Sequence, residues 1–265
     1  MWGIKPEWMA VLGIAFIFIC TTAGSAMVFF FKHEMNEKAK KIFLGFAAGV
    51  MIAASVWGLL NPAIQQAEDT GNIGWIPAAF GFLAGGAFLL MMDLLLPHLH
   101  IGGDRPEGLK SSWNRTTMLV FAVGIHNIPE GLAVGFAFGL AFKTATVPAL
   151  AAAVGLAIGI GLQNFPEGAA VSLPLRNENL STRKSFWLGT LTGVLEPVAA
   201  VIGLLLSAAL ASIMPWFLAF AAGAMMYVVV EELIPEAHLG EHSNAGTIAV
   251  MIGFVLMMIL DVALG

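Results

Sequence analysis

A chain of 265 residues that is 58% hydrophobic and 11% charged, with a mean hydropathy of +0.86, has too little polar surface to cover a water-soluble domain. It reads as an all-α polytopic membrane protein. One cysteine excludes an intrachain disulfide and a thiolate metal cluster, and a formal net charge of -5 says little about partners in a chain whose surface is mostly lipid-facing.

A run of about 20 apolar residues crosses the hydrocarbon layer as a helix. Eight such runs follow one another, over residues 7–31, 41–64, 75–97, 114–141, 145–173, 185–210, 214–237 and 245–264. The loops between them are short, so a single transmembrane domain over residues 1–265 is expected. The first run carries Cys20, read as a small packing residue. Small residues after Cys20 imitate a cleavage site, but the apolar run continues through Phe31, which favours a retained helix.

Basic residues fix the expected orientation. Lys32, Lys38, Lys40 and Lys41 follow the first span, Arg105, Lys110 and Arg115 the third, and Arg176, Arg183 and Lys184 the fifth, leaving only Lys5 and Lys143 on the other side. By the positive-inside rule those loops are cytoplasmic, and both termini lie outside the cytoplasmic membrane.

The second span reads Phe46-Ala47-Ala48-Gly49-Val50-Met51 and the seventh Phe220-Ala221-Ala222-Gly223-Ala224-Met225. Gly85 and Asp93 in the third span recur at the same interval as Gly253 and Asp261 in the eighth. The matching spans begin on opposite sides of the membrane, so the repeats are inverted, a signature of transporters whose substrate site lies near the midplane. After the third span come His98 and His100, and after the seventh His238 and His242. Such pairs are read either as solvated loop residues or as transient metal contacts at a pore mouth.

The fourth and fifth spans carry one motif twice, His126-Asn127-Ile128-Pro129-Glu130-Gly131 and Gln163-Asn164-Phe165-Pro166-Glu167-Gly168. On a helix His126 stands one turn from Glu130, and Gln163 one turn from Glu167. Each proline removes a donor and frees the carbonyl four residues earlier, at Ile125 and Leu162, which is tolerated at depth only where the freed group faces protein, water or an ion. The sixth span adds Glu196 before Pro197, and the seventh adds Glu231 and Glu232.

Every Lys and Arg lies near the end of a span, so Glu130, Glu167 and Glu196 have no basic residue placed to pair with them at depth. An unpaired buried charge costs several kcal/mol, so these groups call for protons or bound cations. His126, Glu130, Gln163 and Glu167 offer one imidazole nitrogen and three oxygen donors; Asn127, Asn164 and Glu196 could build an adjacent site with shared carboxylates. Imidazole and carboxylate without thiolate suit zinc, iron, manganese, cobalt or cadmium. Three other readings compete: polar residues that merely bridge helices, an intramembrane metal hydrolase, and proton or monovalent-ion coupling. The hydrolase lacks the His-Glu-x-x-His order and an obvious general base. Ion coupling alone would not need His126 or the amides. For Met51, Ser55 and Glu232, helix packing is weighed against a place on the metal path.

His-Asn-x-Pro-Glu-Gly, Gln-Asn-x-Pro-Glu-Gly and Glu-Pro on consecutive spans resemble the ZIP family of divalent transition-metal transporters, and the likeness extends to the repeats and to the ending Asp261-Val262-Ala263-Leu264-Gly265. The resemblance implies eight helices in a 3+2+3 arrangement, uptake of zinc or a related metal, and no enzymatic activity or cofactor. It implies a binuclear centre, one ion on His126, Glu130, Gln163 and Glu167 and a second on Asn127, Glu130, Asn164, Glu167 and Glu196. Some relatives have Asp where Asn164 stands, so the neutral amide weakens the second site, and some have His where Glu231 stands. The partners expected are divalent metal ions and the lipid bilayer, with no nucleic acid, and a homodimer is one arrangement open to the chain. No phosphate-binding Gly-x-x-x-x-Gly-Lys loop is present, which leaves the metal gradient and membrane potential as the drive.

Overall fold

The computed structural model of the chain describes residues 4–31, 36–97, 108–109, 113–177, 180–238 and 243–264. His98, His100 and His242 lie outside the described residues. Eight helices are long and apolar enough to cross a membrane: α1 (Pro6–Phe29), α2 (Glu37–Asp69), α3 (Trp75–Leu95), α4 (Thr116–Thr144), α5 (Val147–Arg176), α6 (Thr182–Ala209), α7 (Met214–His238) and α8 (Ala245–Leu264). Among the described residues there is no strand.

Helix starts are set by side chains that accept from otherwise orphaned backbone donors. Asn36 Oδ1 accepts from Ala39 N, Asn114 Oδ1 from Thr117 N, and Ser181 Oγ from Lys184 N, which opens α2, α4 and α6. At the other end of α4, Ala145 turns left-handed at φ 51 and its N–H returns to Ala141 O. Only Ala145 and Thr146 then separate α4 from α5, so the two motif-bearing helices form a tight antiparallel hairpin.

Helices pair as α1 with α5, α4 with α6, α2 with α8 and α3 with α7, while α4 and α5 also pack on each other. Burial orders them into layers. In the most apolar stretch of α4, 78% of residues are buried, against 22% in α3 and α8, whose large side chains such as Leu83, Leu94, Ile252 and Val262 point outward as lipid-facing surface.

Glycines make the close approaches. A methyl group on Gly49 would strike the carbonyl of Val250, and one on Gly253 that of Phe46, which locks α2 to α8. The α3 and α7 pair repeats the device, with Gly85 against Phe220 O and Gly223 against Phe82 O. Without a hydrophobic force between helices in lipid, such backbone contact through small residues supplies much of the packing. Gly168 lies on Thr21 O between α5 and α1, and Gly131 on Glu196 O between α4 and α6. The motif glycines therefore press α4 and α5 onto their partner helices beside the glutamates.

Prolines leave a second mark. Pro62 and Pro235 cannot donate to the preceding turn, and just before each the helix widens to i to i+5 hydrogen bonding, over Ala54–Leu60 in α2 and Val229–Leu233 in α7. Asn61 N donates to Val56 O and Ile234 N to Val229 O. These widened turns carry Ser55 and Glu232.

Candidate metal centre

Near the middle of the bundle the two motif copies face each other. Gln163 Nε2 donates to Glu130 Oε2 at 2.6 Å and also to Asn164 Oδ1. Asn164 Nδ2 donates in turn to Glu196 Oε2, with a longer contact of 3.4 Å to Ile17 O. Asn127 Nδ2 reaches Glu196 Oε1 and the Thr192 carbonyl, both at 3.2 Å. Thr21 Oγ1 completes the set at 2.9 Å from Glu196 Oε1.

The local fold explains why Glu196 can be there. Helix α6 breaks at Gly193 and Val194 and restarts at Leu195, which puts Glu196 in the first turn of the second segment, with Pro197 directly after it. A carboxylate there faces the positive end of the helix dipole, and the proline costs little because first-turn donors have no partner anyway. The interruption also releases the Thr192 carbonyl that Asn127 takes up. Sequence reasoning expected a continuous sixth span starting at 185. The structure begins it at Thr182, under the Ser181 cap, and divides it.

Glu130 and Glu196 are buried, as are His126, Asn127, Gln163 and Asn164. Glu167 is partly exposed, toward a cavity of about 20 Å³ lined by Met51, Val123, His126, Asn127, Glu130, Glu167, Val228, Glu232 and Leu233. That volume holds about one water-sized occupant. Its floor is α4 and α5, and its far wall is α2 and α7, the helices with widened turns. Three polar atoms of its lining residues, His126 Nδ1, Asn127 Oδ1 and Glu167 Oε1, are buried without a hydrogen-bond partner. A native fold rarely leaves such atoms bare without an occupant to satisfy them.

His126 leads away from this cluster. Its Nδ1 is 3.2 Å from Glu232 Oε1, close in distance but not aligned as a hydrogen bond, and its Nε2 is 3.8 Å from Asp93 Oδ1. The sequence offered Asp93 only as a residue near the end of the third span. Thr21 was not singled out at all, since a threonine one turn above Ile17 looks like any helix hydroxyl. Both contacts depend on helix pairing.

The candidate residues separate cleanly by place. Asn127, Glu130, Gln163, Asn164 and Glu196 form one hydrogen-bonded group, and His126, Glu167, Met51 and Glu232 line the cavity beside it. Glu231 is exposed and does not line the cavity. His238 is exposed too, its ring held between Ile234 O at 2.9 Å and Thr247 Oγ1 at 3.1 Å.

No Lys or Arg among the described residues pairs with Glu130, Glu167 or Glu196. Arg176, the basic residue at the end of α5, instead donates to Val28 O and Phe31 O at the end of α1. Nor do three His, Cys, Asp or Glu side chains among the described residues converge on one point, because the amides of Gln163, Asn164 and Asn127 stand between the carboxylates. Each amide turns its NH2 group toward negative oxygen. Rotating it by half a turn would present its carbonyl oxygen to a cation in the same place, so the donor set can hold itself together or hold a metal.

The family model described as ZIP zinc transporter matches residues 98–261. The chain is similar to the zinc transporter ZIP11 of Homo sapiens, with 38% identity over 99% of each chain. It is similar also to the zinc transporter GufA of Myxococcus xanthus, 38% identical over 88% of this chain and 90% of that one, and to the zinc transporter ZIPB of Bordetella bronchiseptica, 36% identical over 97% and 81%.

Proposed function

The chain belongs to the ZIP family, and from that premise we propose that it carries zinc, or iron, manganese, cobalt or cadmium, into the cytoplasm by alternating access. It is a multi-pass membrane transporter and not an enzyme. The observation that carries the reading is the charge deficit: three carboxylates at depth, without a described Lys or Arg partner, beside two bare acceptor atoms and a cavity of ion size. A divalent cation supplies what the site lacks.

In this reading the first ion takes His126, Glu130, Gln163 and Glu167, and the second takes Asn127, Glu130, Asn164, Glu167 and Glu196. Asn164 is neutral and already engaged with Glu196, so the second ion is held more weakly. Met51 and Glu232 act as path residues, with Glu232 and Asp93 receiving the ion from His126. The termini lie outside, as the distribution of basic residues suggests.

Helix pairing supports the inverted repeat and the 3+2+3 arrangement. Exchanging α1 with α6, α2 with α7, α3 with α8 and α4 with α5 turns each observed pair into another observed pair, and the reciprocal glycine contacts obey the same exchange. Alternating access then consists of α4 and α5 keeping the ion while the α2 and α7 wall shifts across them. Membrane potential contributes about 2.3 kcal/mol per charge per 100 mV, doubled for a divalent ion.

Purified chain in liposomes tests this directly. Zinc uptake that Glu130→Gln removes while the protein still inserts is the expected result; uptake equal in wild type and variant would refute the ligand assignment.

A further inference from the structure

One turn beyond Glu232, toward the end of α7, Glu236 faces α2, and its Oε2 lies 2.6 Å from Lys40 Nζ. Four residues along a helix bring two side chains onto one face, so Glu232 on the cavity wall and Glu236 form a two-step acidic line leading out of the cavity. Lys40 lies three turns from Met51 on α2, on the same side of that helix. The cavity and the ion pair are thus two levels of one seam between α2 and α7.

Both members are largely covered, with side-chain exposures of 21% for Lys40 and 10% for Glu236. The helix ends around them are tied. Gly45 packs on Gly246 O, Gly246 packs on Ala237 O, and the His238 ring spans from Ile234 O to Thr247 Oγ1. Lys40 thus sits, four-fifths covered, against the Glu236 carboxylate at this tied end of the seam.

We propose that Lys40 is a tethered counter-ion which occupies Glu236 until a divalent ion leaving the cavity displaces it, and that Glu236 is a further path residue beyond Glu232. The inference rests on the transport reading above. Its logic is release. A line of bare carboxylates would trap a divalent ion, whereas an ammonium that competes for the last one lets the ion bind there briefly and go. Lys40 then returns to Glu236 and closes the seam.

The two members should therefore act in opposite directions on zinc retention, which a plain clamp between α2 and α7 would not produce. The full-length chain is equilibrated with zinc at fixed free concentration, and bound zinc per chain is read by elemental analysis beside flux in liposomes. Lys40→Gln should bind zinc about tenfold more tightly, equivalent to about 1.4 kcal/mol, and pass it more slowly. Lys40→Arg, which keeps the charge, should retain zinc as the wild type does. Glu236→Gln should slow flux without raising retention, and the double variant Lys40→Gln with Glu236→Gln should lose the extra zinc. Unchanged retention in Lys40→Gln, with thermal midpoints lowered equally in both single variants, would overturn the proposal in favour of a clamp. A wild-type chain that moves no zinc would undo the transport reading instead, whatever Lys40 does.

Discussion

Gln163 Nε2 stands 2.6 Å from Glu130 Oε2, so the amide of one motif copy is hydrogen-bonded to the carboxylate of the other. The duplicated motif is therefore one site contributed by two antiparallel helices. If that site is the cargo site, removing either carboxylate removes a ligand shared by both ions. Glu130→Ala and Glu167→Ala are each expected to lower zinc uptake by about 100-fold or more, since the loss of even a supporting partner of a ligand costs about 10- to 100-fold. Uptake in vesicles, normalised to inserted protein, checks this.

Asn164→Asp replaces a donor to Glu196 by a second negative group. Without metal the two carboxylates repel, and with metal they share it. The variant should unfold at a lower temperature than the wild type in the presence of chelator and at a higher one in excess zinc. A thermal midpoint that moves in the same direction under both conditions would argue against an ion at that place.

Thr21 Oγ1 donates to Glu196 Oε1 at 2.9 Å inside a fully buried network. Thr21→Val keeps the shape and removes the donor, which should cost about 1 to 3 kcal/mol. Supplying zinc should recover part of that loss, because an ion satisfies the same oxygen. Denaturation with and without zinc measures both quantities.

Gly131 leaves no room for a side chain: a Cβ there would meet the Glu196 carbonyl and approach Ala199 Cβ to 2.9 Å. Gly131→Ala should force α4 and α6 apart at the site, at a cost of about 1 to 3 kcal/mol, and should weaken zinc binding along with stability. Gly86 is the comparison, since its nearest neighbour, Gly223 O, would be 3.8 Å from an added Cβ. Gly86→Ala should leave zinc binding unchanged.

Much of this was legible because lipid simplifies the reading. Expected spans of 75–97 and 145–173 meet observed helices Trp75–Leu95 and Val147–Arg176, since hydrophobic length alone sets them. The motif residues were legible because a buried carboxylate without a basic neighbour is conspicuous in an apolar run. The helix ends at Pro62 and Pro235 were less so. The second span was expected to stop at 64, but the widened turn before Pro62 absorbs the missing donor and the helix runs on to Asp69. Nor could composition place Asp93 and Glu232 against His126, or Thr21 against Glu196. Those contacts arise where α3 and α7 reach α4 and where α1 reaches α6, which periodicity does not encode. Nor does the sequence decide between helix packing and the metal path for Met51 and Glu232; the structure sets both on the cavity wall, and Glu231, one residue along, faces outward.

The central claim is that a divalent metal is the counterweight to Glu130, Glu167 and Glu196. Anomalous scattering from crystals grown with zinc tests it most directly: a peak between α4 and α5, within bonding distance of Glu130 and Glu167, is the predicted result. Crystals grown in excess zinc that show no such peak, with Gln163 still hydrogen-bonded to Glu130, would contradict it.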